Sequence, residues 1–128
     1  MPTGMRPITT YNVFQSLAYE SGAVPVPHGT TVTSDPLDLR SIAQDGFFSV
    51  EYTITGDGTC TIAYTVCSTK TGTFFAPTGG GSIASGLTKT PGHGGLAFEP
   101  ECYPFIKITL TETGNSSNIA VILRLNIQ

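Results

Sequence analysis

A chain of 128 residues with nine acidic and six basic side chains carries a net charge of −3, and at this length one domain with a single core is expected. The basic residues Arg6, Arg40, Lys70, Lys89, Lys107 and Arg124 are scattered and form no stripe, so a nucleic-acid partner has no electrostatic support. No apolar run approaches the ~20 residues of a membrane span, and the N-terminus lacks the basic-then-apolar order of a signal peptide, so no membrane partner is expected and folding is placed in a cytosol.

Residues 1–36 lack strong periodicity. Val24-Pro25-Val26-Pro27 favours an extended, polyproline-like path, and Val13 to Tyr19 reads as a short strand or a helical turn. The segment nevertheless carries Ile8, Tyr11, Val13, Phe14, Leu17 and Tyr19, more apolar content than a disordered tail usually holds. It is therefore read as an extended arm, 1–36, that orders against a neighbouring subunit, ahead of a sandwich domain, 37–128. Within the arm Thr31, Val32 and Thr33 have strand character. Leu37, Leu39 and Ile42 are expected to pin a turn to the core.

The clearest signals follow. Phe47 to Thr55 places Phe48, Val50, Tyr52 and Ile54 on one face and Ser49, Glu51 and Thr53 on the other. Thr59 to Cys67 opposes Cys60, Ile62, Tyr64 and Val66 to Thr61, Ala63 and Thr65. Ile106 to Glu112 and Ile119 to Ile127 form a second pair. A period of two marks strands with one buried face. The links Gly56-Asp57-Gly58 and Gly114-Asn115-Ser116-Ser117 read as hairpin loops. Residues 69–95 read as a long loop region with strand islands at Phe74-Phe75-Ala76 and Ile83 to Leu87, and Leu96-Ala97-Phe98 reads as a further short strand. Seven or eight strands in all predict an all-β, antiparallel two-sheet β-sandwich of jelly-roll type.

Chemistry-bearing constellations are sparse. Gly79-Gly80-Gly81-Ser82 and Gly92-His93-Gly94-Gly95 lack the Lys-Ser/Thr of a phosphate cradle and read as loop tips. His28 and His93 are both placed in loops. A metal site would need them to converge with Asp35, Asp38 or Glu99, and nothing local requires that. Glu99 and Glu101 around Pro100 read as a solvated loop rather than a calcium site. Asp57 is a turn residue between two glycines and Glu51 points outward, so paired-carboxylate chemistry is unsupported. Cys60 and Cys67 lie on one predicted strand about 23 Å apart and face opposite ways, too far for a disulfide. The three cysteines are read as reduced thiols. No catalytic residue, metal or cofactor is expected.

The weakly charged threonine faces, Thr53 to Thr65 and Thr109 to Thr113, fit a subunit covered by a neighbour in a closed homo-oligomer such as a trimer. The stretch from Leu37 to Gln128 resembles small β-sandwich virion proteins of tailed bacteriophages. The matching segments are Asp45-Gly46-Phe47-Phe48-Ser49-Val50-Glu51-Tyr52, Thr55-Gly56-Asp57-Gly58-Thr59, Ile62-Ala63-Tyr64-Thr65-Val66-Cys67-Ser68, Phe105-Ile106-Lys107-Ile108 and Thr111-Glu112-Thr113-Gly114. The resemblance implies a non-enzymatic capsid decoration or cement protein, assembled into the virion in the host cytoplasm and binding capsid or other virion proteins. A head–tail or tail-surface protein fits the same pattern. The expected contact residues are Ile8, Tyr11, Val13 and Phe14 in the arm, with Phe74 and Phe75. The same strand grammar is similar to carbohydrate-binding modules. That reading requires two of Phe47, Phe74, Phe75 and Tyr103 to form a flat exposed patch.

Overall fold

The computed structural model describes residues 7–14, 23–41, 46–78, 81–114 and 117–128, and all regular structure among them is β. In chain order the strands are β1 (Thr9–Asn12), β2 (Ala23–Val26), β3 (Thr31–Thr33), β4 (Leu37–Asp38), β5 (Phe48–Gly56), β6 (Cys60–Cys67), β7 (Ser82–Leu87), β8 (His93–Phe98), β9 (Phe105–Glu112) and β10 (Ile119–Ile127). They form two antiparallel sheets. The first has the order β1-β10-β5-β8, with β2 also on β10; the second has the order β3-β9-β6-β7, with β4 also on β9.

Strand β1 pairs with residues 124–127 of β10 and β2 with residues 119–122, so these two strands share one lane. Strands β3 and β4 share a lane along β9 in the same way. Between them Ser34 keeps the ladder closed: its N–H donates to the Ile108 carbonyl and its Oγ accepts from the Ile108 N–H, both at 2.9 Å. Counted by lanes, each sheet is four strands wide, and the chain moves between sheets in the double Greek-key winding of a jelly roll. The expected two-sheet sandwich is the fold observed.

The period-two faces pack as anticipated. Ile127, Leu125, Leu123 and Val121 of β10 sit opposite Phe48, Val50, Tyr52 and Ile54 of β5. Across the core, Val66, Tyr64 and Ile62 of β6 face Ile106, Ile108 and Leu110 of β9 in the other sheet. Except for half-buried Tyr52, these side chains are buried, and together they form one continuous core. Each fully buried aliphatic side chain contributes about 1.5–3 kcal/mol relative to exposure.

Three expectations are corrected. First, the Gly56–Gly58 and 114–117 links are not hairpins. Each carries the chain from one sheet to the other, and the long partners are β5 with β10 and β6 with β9. Turning out of the sheet brings the links together: Gly56 has φ +95°, and a Cβ there would lie 2.5 Å from the Asn118 carbonyl oxygen. Glycine is needed for both reasons. Second, the described parts of 1–36 do not form a free arm. Strands β1, β2 and β3 lie in the sheets, and Val13, Phe14, Val24 and Val26 are buried in the core. Pro25 is accommodated because β2 is an edge strand, where a missing N–H costs no ladder bond. Third, His93, Gly94 and Gly95 belong to β8 rather than to a loop. Leu17, Tyr19, Ile42 and Asp45 lie outside the described residues.

Glu112 ends β9 on the inner face, buried to 1% exposure. Its Oε1 accepts from the Gly29 N–H at 3.0 Å, and its Oε2 accepts from the Thr59 and Gly114 N–H groups at 2.9 and 2.8 Å. One carboxyl group thus ties together the turn after β2, the β5–β6 link and the start of the β9–β10 link.

Candidate functional site

Where β4, β5 and β9 begin and β8 and β10 end, apolar side chains gather at one end of the sandwich. Adjacent residues of an extended chain face opposite ways, so Phe48 points into the core and Phe47, its neighbour, is left outside. Backbone bonds in both directions between Phe47 and Gln128 prolong the β5–β10 ladder and hold Phe47 at its rim. Phe47 is 67% exposed and Ile8 is 64% exposed, and both line a recess of about 350 Å³ with Phe98, Ile127 and Gln128. A second recess of about 430 Å³ lies on the other side of Phe48, between Leu39, Pro100, Tyr103 and Pro104.

Aromatic packing stiffens this end. The Phe98 ring lies between Phe48, 5.7 Å away, and Tyr64, 6.0 Å away. The Tyr64 hydroxyl accepts from the Glu101 N–H at 3.2 Å and so ties down the β8–β9 connection. Phe75 packs edge-on to Tyr103 at 5.4 Å. Its backbone bonds Val66 in both directions, which places it beside β6 as a sheet residue. Phe75 keeps 44% of its surface exposed.

The six residues expected to contact a partner separate into two groups. Val13 and Phe14 are filled into their own core, and half-buried Tyr11 packs against it. Ile8 and Phe75 are exposed. Phe74 lies under the Lys107 ammonium, 4.4 Å from the ring centre, as Phe105 lies under Arg40 at 5.1 Å. These cation–π contacts occupy both rings on the outer face of the second sheet. Phe47 was identifiable from the sequence by its phase, one position out of step with the core. The perpendicular Phe75–Tyr103 pair, with Tyr103 packed on the core, does not make the flat platform that sugar rings require.

Among the described residues the charged side chains meet in separate pairs. The outer face of the first sheet holds the His93–Glu51 contact at 2.9 Å, and Arg40 grips Asp38 with two bonds at 2.9 and 2.7 Å. The Arg40 bonds hold the Asp38 carboxyl down at about 2. Among the described residues no group of three or more His, Cys, Asp or Glu is placed to hold a metal ion. The cysteines are free thiols. Cys60 faces inward, and burial, aided by the nearby Glu112 charge, pushes its thiol up to about 12. Cys67 faces outward, where bonds from Thr69 and the Lys107 charge lower its thiol. Cys102 is exposed. Iodoacetamide added to the folded chain at pH 8 is expected to modify Cys102 first and to spare Cys60, as read by peptide mass spectrometry. Early modification of Cys60 would contradict the packing of β6.

No protein-family model and no curated protein sequence matches this chain.

Proposed function

We propose that this chain is a non-enzymatic structural component of a bacteriophage virion, a capsid decoration or cement protein that binds between capsid subunits. The observation that carries the reading is the exposed apolar end formed by Ile8, Phe47 and Phe75 beside two recesses. The function is adhesion, in which a rigid sandwich presents fixed aromatic anchors to a pocket on the particle. Supporting it are the resemblance carried by residues 37–128 and the weakly charged outer faces. Thr31, Thr33, Thr61, Thr109 and Thr111 cover much of the outer side of the second sheet, and Thr31 and Thr111 share a hydroxyl bond at 2.8 Å. Jelly rolls occur in capsid proteins and in lectins alike, so fold alone does not choose between them. The edge-on packing of Phe75 against Tyr103, which offers no flat platform, favours the capsid reading.

The test uses virions of the phage that encodes the chain. The chain should migrate with intact capsids through a density gradient, and purified chain should rebind capsids stripped of it. Phe47→Asp and Ile8→Asp should each weaken rebinding about tenfold or more, the effect of removing a central anchor. Both side chains are exposed, so the melting temperature should not move. Recovery of the chain only among soluble lysate proteins would overturn the assignment.

A further inference from the structure

We infer that two copies of this chain pair through strand β8, joining their first sheets into one continuous sheet about a two-fold axis at Gly95. The interface is argued from edge geometry and not from the virion reading, although Ala97 and Phe98 also line the recess beside Phe47.

An unprotected edge strand is a template for another chain, and proteins usually block it. Three of the four edges here are blocked. The β1/β2 lane carries Pro25 and is broken into two four-residue strands. The β3/β4 lane is interrupted at Asp35 and Pro36 and carries the Asp38–Arg40 ion pair. Strand β7 pairs with β6 through register shifts on either side of Ile62. Strand β8 has none of these devices. It runs six residues in unbroken register with β5, from His93↔Thr53 to Phe98↔Phe48. It carries no proline and no Lys, Arg, Asp or Glu.

The bonding phase of β8 identifies which groups are free. The Ile54 N–H donates to the Gly92 carbonyl at 2.6 Å, so 54 and 92 form a bonded pair. Antiparallel ladders alternate, so Tyr52–Gly94, Val50–Leu96 and Phe48–Phe98 are the next bonded pairs. The N–H and C=O groups of His93, Gly95 and Ala97 therefore point away from the sheet. These three positions are symmetric about Gly95. A second copy turned by a two-fold axis through that residue and perpendicular to the sheet sets Gly95 opposite Gly95. It also sets His93 opposite Ala97 in both directions. All six free groups on each strand then find partners, and the faces match because each outward residue meets an outward residue.

Side chains agree with this arrangement. At the axis there is none, and Ala97 is small. On the core side the same axis sets Leu96 of one copy opposite Gly94 of the other. Gly94 lacks a side chain because the Tyr52 ring lies over it; a Cβ there would be 2.7 Å from the Tyr52 hydroxyl oxygen. The second copy's Leu96 would thus close onto the exposed edge of that ring. Tyr52, Leu96, Leu87 and Phe98 are all only partly buried along this side of the core. Glu51, opposite Gly95 on β5, is engaged by His93, and Glu99 lies just past the end of the strand.

Sedimentation equilibrium over a concentration series should give twice the 13.4 kDa chain mass. Ala97→Pro deletes an N–H that no described residue of the same copy uses, and Ala97→Lys places a charge on the edge without altering the backbone. Both variants should stay folded by circular dichroism and sediment at the single-chain mass at concentrations where the wild type is dimeric. Amide exchange locates the contact. In the wild type, the Gly95 and Ala97 amides should exchange about tenfold or more slowly than in Ala97→Lys. A wild-type chain at single mass throughout overturns the inference, as does a dimer whose Gly95 and Ala97 amides exchange freely. Failure here leaves capsid rebinding intact, and failure of rebinding leaves this dimer intact.

Discussion

Replacing Glu112 by alanine is expected to lower stability by about 3–5 kcal/mol, a large share of the 5–15 kcal/mol that holds a domain of this size together. A hydrogen bond to a charged group contributes about 1.5–3 kcal/mol, and Glu112 accepts three of them from backbone N–H groups. The sum is reduced because the turns carrying Gly29 and Gly114 are exposed and water can reach their amides. Glu112→Gln separates charge from shape. Its carbonyl can still receive Thr59 and Gly114, but its NH₂ then faces the Gly29 N–H. A smaller loss of about 1–3 kcal/mol is expected. Removing the negative charge should also let the Cys60 thiol ionise at lower pH than the present value of about 12. Urea melts of the two variants against the wild type check the first effect, and alkaline thiol titration checks the second. An alanine variant with an unchanged urea midpoint would show that the three turns stay in place without the carboxylate.

Removing residues 1–20 is expected to unfold the chain or to destabilise it by about 5 kcal/mol or more. The deletion takes away β1, whose partners are residues 124–127, and the bond from the Val13 N–H to the Leu123 carbonyl at 3.2 Å. It also takes Val13 and Phe14 out of the core. Truncating a buried phenylalanine alone costs about 3–5 kcal/mol, so Phe14→Ala should account for much of the loss. Circular dichroism and a urea melt of chain 21–128 provide the measurement. A truncated chain melting at the wild-type midpoint would restore the picture of a detachable arm.

These two predictions fall where the sequence was hardest to read. Strands β5, β6, β9 and β10 were legible because a strand with one buried face repeats every second residue. Their pairing was not, because Gly56-Asp57-Gly58 is compatible with a hairpin within one sheet or a corner between two. The choice is made by β5 meeting β10, some 70 positions away, and no local signal reports that contact. In β2 the period was present as Val24 and Val26, but the intervening prolines suggested a solvated polyproline path. Val13 and Phe14 lie in a turn, where a buried pair has no period to show. Gly94 and Gly95 read as a loop because glycine is rare in strands, whereas here Gly94 makes room for the Tyr52 ring. At the apolar end, four rings could be left outside, Phe47, Phe74, Phe75 and Tyr103, and which of them would be covered depended on Lys107 and β6, distant in sequence.

The position of β10 also sets the order in which this molecule can form. Strands β1 and β2 join the first sheet only through β10, which follows every other strand in chain order. As synthesis proceeds, β5 can meet β8, but β1 and β2 must wait without a partner strand until residues 119–127 have been made. The second sheet can assemble once β9 emerges, since β3, β4 and β6 all meet there. Closure of so many distant contacts makes folding intrinsically slow. Until β10 is in place, the unpaired strand edges have little protection from the chain's few charges.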